Sequence, residues 1–481
     1  MSSPVIFLQP PASYDNPSPC LDDKQFGLGI LANAAWLKSN GFPVEGHHIP
    51  LTRHHGYSVE GCLDAVIASD PLLVAIGLNW VHFSEGAIET ARRLKARNPN
   101  LPIVIGGQHA SLFASEIAER HRDCIDGVIQ GEAELPLLTI CRALSETGVV
   151  PIDVPGLHRP GRLAPRPMVV DDMGSLPSYS YRTFQTAPLQ SDVGAISTTR
   201  GACPFKCAWC IEPVIGRVQG RKKLQFHSAA RIADQMLSLL DEGIDRFTIQ
   251  DNFFVGGDRK LIALTEELAR RNIRPRHLNI FAHPESFGVD GFAAFAVASD
   301  SASLDFGVET GSVRVAKINH RRLDPDHVVQ QTEMAVENGV EVYTWWMVGL
   351  PGEDDAALAE TEDLILRTME VGGVPRWVSP LILFPKTPIH ETPEAFGVTT
   401  RFKNFEDYTT FSRTTLAEAV LFSDTIGHET SEASREDITE ASLRLRKFIA
   451  NKLDRLRAFY ANRPVSPDLS TVEGRVLQSF F

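Results

Sequence analysis

Short apolar runs alternate with segments of helical period along most of this 481-residue chain, in two successive series, and no other feature restricts its fold as much. In the first series the runs are "VIFLQ" (Val5–Gln9), "LLVAIGL" (Leu72–Leu78), "PIVIGG" (Pro102–Gly107) and "DGVIQ". Strands this uniformly apolar are buried on both faces, as in a parallel sheet covered by helices. Between them, "LGILANAAWLKSNG" (stopping at Gly41), "SEGAIETARRLKARNP" (beginning near Ser84) and "SEIAERH" place apolar residues at helical spacing. The pattern predicts a doubly wound α/β domain, with ligands at the carboxyl ends of the strands. Those ends carry "GLNWVHFS", "GGQHAS" and "QGEAE".

Residues 151–190 change character. Pro151, Pro155, Pro160, Pro165, Pro167, Pro177 and Pro188 interrupt any regular element, which predicts a linker holding at most a small strand pair. A second series opens at Val193 with "VGAIST" and continues through "RFTIQDNF" (Arg246–Phe253), "HLNIFAHPE", "SLDFGVETGS", "VEVYTWWMVGLPGE" and "WVSPLILFPKTP". Six strands in β/α repeat predict an open, partial (β/α)6 barrel with its chemistry at the C-terminal strand ends. Beyond about residue 400, "REDITEASLRLRKFIANKLDRLRAFYA" reads as one charged amphipathic helix, so the C-terminal region is expected to be mostly helical. The expected division is 1–150, a linker at 151–190, the barrel at 191–395 and the helical region at 396–481.

Length agrees with more than one core. Sixty acidic against 47 basic side chains give a net charge of −13, which disfavours a broad nucleic-acid surface. "MSSPVIFLQPP" lacks the basic region of a signal peptide, and no run approaches a membrane span. Seven cysteines, an odd number, do not form a disulfide framework. A soluble protein of a reducing cytoplasm is expected.

Three of those cysteines, Cys203, Cys207 and Cys210, fall in "RGACPFKCAWC" with C-x3-C-x2-C spacing, in a loop just past a predicted strand. Structural zinc needs four ligands, commonly as two close pairs; no cysteine follows, although His227 or His283 could complete a set. Buried apolar thiols fit poorly in a loop of glycine, proline and polar residues. Thiolates suit iron–sulfur chemistry, and three ligands to a [4Fe–4S] cluster leave one iron open.

Cys203, Cys207, Trp209 and Cys210, placed directly after the first strand of a β/α series, resemble the loop of the radical S-adenosylmethionine (SAM) enzymes. Later strand ends agree with that resemblance. It implies that Asp251 and Asn252 in "IQDNFF" lie near the SAM amino group and that Glu309 in "GVETGS" reaches the ribose. It also implies that "MVGLPGE", with Gly349 and Pro351, brings backbone close to adenine, and that Trp209 belongs to the SAM site. Two positions depart from the family pattern: Lys386 stands where relatives have glycine, and His283 lies near the place of a third-strand arginine.

The first series, with "FGLGILANAAWLKSNG", "GGQHAS" and "GVIQGEAE", resembles the Rossmann-like cobalamin-binding domain that precedes the barrel in one subfamily. That resemblance implies a corrinoid site at Asn79, Ser84, Gly106, Gly107, His109, Ser111 and Glu132. The D-x-H-x-x-G signature of histidine-ligated cobalamin is absent, and this subfamily commonly binds the corrinoid without it. A sheet lacking that histidine could also serve only as a docking module. "GLGILA" (Gly27–Ala32) fits a dinucleotide fingerprint but lies too far from Val5–Gln9 to follow its strand.

Together the resemblances imply a cobalamin-dependent radical SAM enzyme with a [4Fe–4S] cluster, SAM and cobalamin as cofactors. Its expected activity is C-methylation of an unactivated carbon in a small molecule or natural-product precursor. Expected partners are that substrate and an electron donor such as flavodoxin or ferredoxin, with neither nucleic acid nor membrane. A cyclisation or rearrangement without methyl transfer is the alternative. A non-enzymatic metal-binding interaction module is the alternative of another class, and methylthiotransfer to tRNA would need a further cysteine cluster. Of the remaining motifs, "GHHIP" (His47, His48) and "RHHG" (His54, His55) read as solvated loops. Trp345 and Trp346, adjacent on a strand, must face opposite sides. Arg217, Arg221, Lys222 and Lys223 read as a solvated basic patch, and the last 85 residues are expected to close the cavity.

Overall fold

The computed structural model describes residues 3–15, 27–162, 166–184, 193–221, 223–251, 254, 256–413, 426–461, 463, 467 and 469. Strands β1 (Val5–Gln9), β2 (Val44–His48), β3 (Leu73–Gly77), β4 (Ile103–Gly106), β5 (Gly127–Ile129) and β6 (Leu157–His158) form one sheet in the order β2-β1-β3-β4-β5-β6. All pairs are parallel except β5 with β6, which the proline-rich segment contributes as an antiparallel edge. Strand β1 shows why its sequence is apolar throughout. Val5 and Phe7 enter the hydrophobic cluster on one face, while Ile6 and Leu8 enter the cluster on the other. The helix Ser84–Arg97 lies so close to the loop after β1 that a Cβ at Gly86 would stand 1.8 Å from the Pro11 carbonyl oxygen.

Strand β2 corrects the reading of His47 and His48 as solvated. Both are buried on the strand. The His48 ring lies edge-on to Phe184 of the linker, 6.1 Å between centroids, and its Nδ1 accepts the Leu51 amide at 3.2 Å. "VEGHH" is polar by residue type, so apolar patterning misses it; the linker supplies its cover.

The second sheet contains β7 (Val193–Ile196), β10 (Arg246–Ile249), β11 (His277–Ala282), β12 (Ser301–Glu309), β13 (Glu341–Val348) and β14 (Val374–Pro380). They pair in chain order, all parallel, with β7 and β14 at the open edges. This is the partial barrel. Trp346 is buried in the core beneath the outer helices while Trp345 lines the interior, so the two indoles do face opposite sides. Between β7 and β10 runs a short antiparallel pair, β8 (Thr199–Arg200) with β9 (Gln225–Phe226).

The C-terminal region is less uniform than a single helix. It contains an antiparallel pair, β15 (Val398–Thr400) with β16 (His428–Thr430), and two helices, Arg435–Ala450 and Leu453–Tyr460. Phe402, Phe405, Tyr408 and Phe411 pack into the first sheet's core, while Ile438 and Leu445 pack into the barrel's. The region therefore clamps both sheets from outside. Among the described residues no helix is long and apolar enough to cross a membrane.

Candidate active site

The strand ends of the two sheets face one cavity of 1420 Å³. From the first sheet it is bounded by Asn79, Gly106, Gly107, Ser111 and Glu132; from the barrel by Arg200, Gly201, Asp251 and the inward residues of β10 to β14. A Cβ at Gly106 would meet nothing closer than 3.8 Å, and one at Gly29, also on the wall, nothing within 4 Å. Glycine there keeps space open for a large flat ligand. Gly107 is constrained instead: at φ 124°, a Cβ would sit 2.5 Å from the Leu78 carbonyl oxygen. Ser111 Oγ accepts the Gly131 amide at 2.9 Å, joining the turns after β4 and β5 at the cavity edge.

Two residues of the expected corrinoid set point elsewhere. Ser84 is buried and donates to the Val81 carbonyl at 2.6 Å. His109 turns its ring toward Phe113, Phe405 and Tyr408, with centroids 5.3 to 5.9 Å away, and burial lowers its pKa to about 3. Glu132 reaches the cavity edge, but its carboxylate is held by Arg221 and Arg200.

Asp251 organises the cysteine loop. Its carboxylate accepts the Thr198 amide at 2.9 Å, the Thr199 amide at 3.2 Å, the Ser197 hydroxyl at 3.0 Å and the Thr198 hydroxyl. Burial pushes its pKa upward, and these donors oppose the shift. It thereby fixes the end of β7 from which the chain departs toward Cys203. Asn252 lies outside the described residues. Beyond the loop, the helix Glu212–Val218 presses so closely that a Cβ on Gly216 would fall 2.1 Å from the Ala202 Cα.

Cys207 and Trp209 are buried in an apolar cluster with Val315, Leu350, Leu381 and Leu383; Cys203 and Cys210 are half-buried. Burial pushes the Cys203 thiol up to about 12 and the Cys210 thiol higher still. Ligation of a metal requires each thiol to lose that proton, so loading the loop would release protons. Among the described residues no three His, Cys, Asp or Glu side chains gather closely enough for a single metal ion. Phe205, at the loop tip, stacks on His283 at 5.0 Å and 18°, so this histidine packs against the loop.

Sequence reading did not identify "INHRR". The Asn319 carbonyl accepts the Ala208 amide of the cysteine loop at 2.9 Å, and its Nδ2 donates to the Pro351 carbonyl at 2.9 Å. One residue thus joins the cysteine loop to the Gly349–Glu353 turn. Arg321 places Nη1 3.9 Å from Cys207 Sγ and donates from Nη2 to the Gly307 carbonyl. Glu309 ends β12 at φ 76°, just past a bulge; burial raises its pKa and Arg321 acts in the opposite sense. A Cβ at Gly307 would come within 2.6 Å of Glu309 Oε1.

The turn after β13 is held from both sides. Gly349, at φ 77°, donates its amide to Glu353 Oε2 at 2.6 Å, and its carbonyl accepts from His428 Nε2 at 2.8 Å. Lys386 adopts φ 61°, the left-handed conformation natural to the glycine expected there.

Arg221 corrects the reading of a solvated patch: it is buried and paired with Glu132, while Arg217 and Lys223 are exposed and Lys222 lies outside the described residues. Among the described residues the cavity wall extends from Phe7 to Trp377, so those of the C-terminal region brace rather than line it.

The B12 binding domain family matches residues 21–140, and the radical SAM superfamily matches residues 197–365. This chain belongs to the cobalamin-dependent radical SAM proteins. An uncharacterised methyltransferase of Pyrococcus horikoshii is 24% identical over 280 residues, covering 56% of this chain and 58% of that protein. The hopanoid C-3 methylase of Methylococcus capsulatus is 25% identical over 270 residues, covering 54% and 50%. This chain therefore aligns with little more than half the length of these curated relatives. The structure of TsrM, a radical SAM methyltransferase from Kitasatospora setae with cobalamin and a [4Fe–4S] cluster bound, superposes over 100% of this chain and 99% of that one. The TM-score is 0.68 at 17% identity, a likeness of fold. The cofactors of the family are the [4Fe–4S] cluster, SAM and cobalamin.

Proposed function

We propose that this chain is a cobalamin-dependent radical SAM methyltransferase that transfers a methyl group to an unactivated carbon of a small molecule. The observation that carries this reading is the single cavity enclosed by the corrinoid-type strand ends and the cysteine-loop end of the barrel. Radical chemistry requires the reacting groups to be close and shielded from water. The bound cofactors would supply a substrate radical and the methyl group.

In this reading Cys203, Cys207 and Cys210 hold the cluster. Glu309, the Gly349–Pro351 turn and Trp209 shape the SAM site, and Asp251 sets the loop's position from beneath. Asn79, Gly106, Gly107 and Ser111 form the corrinoid wall, and Glu132 positions it through its arginines. Ser84 and His109 support that wall from behind. The domain limits 1–150, 151–190, 191–395 and 396–481 belong to the same proposal, as do a cytoplasmic setting and a flavodoxin- or ferredoxin-type electron donor. Rearrangement without methyl transfer would use the same cavity, and no observation favours it.

The test is anaerobic reconstitution with iron, sulfide and hydroxocobalamin, followed by metal and corrinoid analysis and a SAM-cleavage assay beside Cys207→Ala. The reading expects iron and sulfide in equal amounts, retained corrinoid, and 5′-deoxyadenosine from the wild type alone. Zinc in place of iron, with no cleavage under strong reductant, would sink it. A product one methylene heavier than its substrate separates methylation from rearrangement.

A further inference from the structure

Full β/α barrels fill their interiors with layers of branched apolar side chains. Here the corresponding space is part of the cavity, and four half-buried aromatic residues line it: Phe281, Tyr343, Trp345 and Trp377. Phe281 and Trp345 lie 5.9 Å apart between centroids, and Trp345 and Trp377 lie 6.4 Å apart. Aromatic surface left partly bare inside a cavity favours a ligand with an apolar, flat body.

A polar anchor holds this wall in place. Asp305, 1% exposed, accepts Trp345 Nε1 at 2.6 Å, Asn279 Nδ2 at 2.7 Å and Arg376 Nη1 at 3.2 Å. These donors satisfy the Asp305 carboxylate. Arg376 also stands over the Tyr343 ring at 4.5 Å, so its guanidinium is fixed on two sides. Its side chain keeps 30% of its exposure, and its Nε and Nη2 have no hydrogen-bond partner among the described residues. A fixed guanidinium fork with free donors is a carboxylate receptor. Another acid on the wall, Glu341, feels the Arg376 charge but belongs to the strand layer below and is held by the Tyr343 hydroxyl at 2.9 Å. Glu309 lies four residues beyond Asp305 on β12, roughly 13 Å along the strand, which leaves room for a ring between them.

We infer that the barrel interior is the substrate subsite and that the substrate is a planar aromatic molecule carrying a carboxylate. The ring lies against Trp345 and Trp377, and the carboxylate meets Arg376. This inference rests on the methyltransferase reading of the same cavity, and it disfavours a wholly hydrocarbon substrate.

The test is calorimetric titration of protein loaded with cluster and cobalamin, in saturating S-adenosylhomocysteine, using four probes: indole-3-acetate, tryptamine, indole and hexanoate. Indole-3-acetate should bind more tightly than each of the others by about tenfold or more, the scale of one charge-assisted hydrogen bond. Arg376→Gln should reduce indole-3-acetate to the affinity of indole while leaving indole unchanged, and Trp345→Leu should weaken both. Hexanoate binding as tightly, or tryptamine more tightly, would overturn the inference from the wild type alone, whatever the variants' folding. Markedly tighter binding of indole-3-acetate when S-adenosylhomocysteine is omitted would assign the aromatic wall to SAM instead. Protein that cleaves SAM but binds no probe loses only this inference. Protein that binds indole-3-acetate without cleaving SAM loses only the radical reading.

Discussion

Arg221 and Glu132 meet across the seam between the two sheets, Nη2 donating to Oε2 at 2.7 Å with both side chains withdrawn from solvent. Arg200 joins them, 3.1 Å from Glu132 and 2.6 Å from Glu134. Burial acts to lower the Arg200 pKa, but Glu134 and Glu132 together hold it above its ordinary value. Arg200 stands three residues before Cys203, and Glu132 directly follows the turn at Gly131. This buried ion cluster therefore joins the entry of the cysteine loop to the turn after β5.

Glu132→Ala would leave the Arg221 charge buried without its partner, so a loss of about 3 kcal/mol in unfolding free energy is expected. Denaturant midpoints measure it. Glu132→Gln should cost less, because an acceptor remains. If the cluster also sets the loop in register with the corrinoid wall, both variants should retain less corrinoid per chain after reconstitution than the wild type.

Glu353 carries a pH dependence. Burial raises its pKa from 4.5 to about 8, with the Gly349 and Leu350 amides acting in the opposite sense. A folded-state pKa above the unfolded value means that the folded chain binds the extra proton. The contribution is complete below pH about 4.5 and is lost as pH rises through about 8. Glu353→Gln should flatten the decline in melting temperature across that window. An unchanged slope would mean that Glu353 does not titrate there.

Local patterns carried most of the fold. Continuous apolar runs marked β1 and β3 because both faces of each strand are covered. Strand β2 escaped because its buried histidines are polar by type: His48 is covered by Phe184, more than a hundred positions away, and His47 lies against Cys62. The same distinction separates the site residues. Cys203, Cys207 and Cys210 are close in sequence and could be read as a unit. Asn319 and Arg321 touch the cysteine loop from more than a hundred positions along the chain, through contacts that no spacing encodes. The Asp251 carboxylate is similarly engaged by the end of β7, 52 to 54 residues earlier.

Lys386 is a residue with a side chain in a conformation that suits glycine. Left-handed backbone costs a β-carbon roughly 1–2 kcal/mol, part of which glycine returns through its greater freedom when unfolded. Lys386→Gly should therefore stabilise the chain by about 0.5–1 kcal/mol, read from denaturant midpoints. Destabilisation would show that the lysine side chain makes a contact worth more than the strain.

Arg321 offers the most direct measure of how the protein tunes its cluster. Its guanidinium lies 3.9 Å from Cys207 Sγ, and a nearby cation favours the more negative, reduced state. Arg321→Gln should shift the cluster potential to a more negative value, as measured by a redox titration followed by electron paramagnetic resonance. Arg321→Lys retains the charge and should shift it less. Iron content should be unchanged in both, because Arg321 supplies no ligand. If the potential of Arg321→Gln equals the wild type, the guanidinium acts through the Gly307 carbonyl and Glu309, on the placement of SAM. In that case the variant should weaken SAM binding instead.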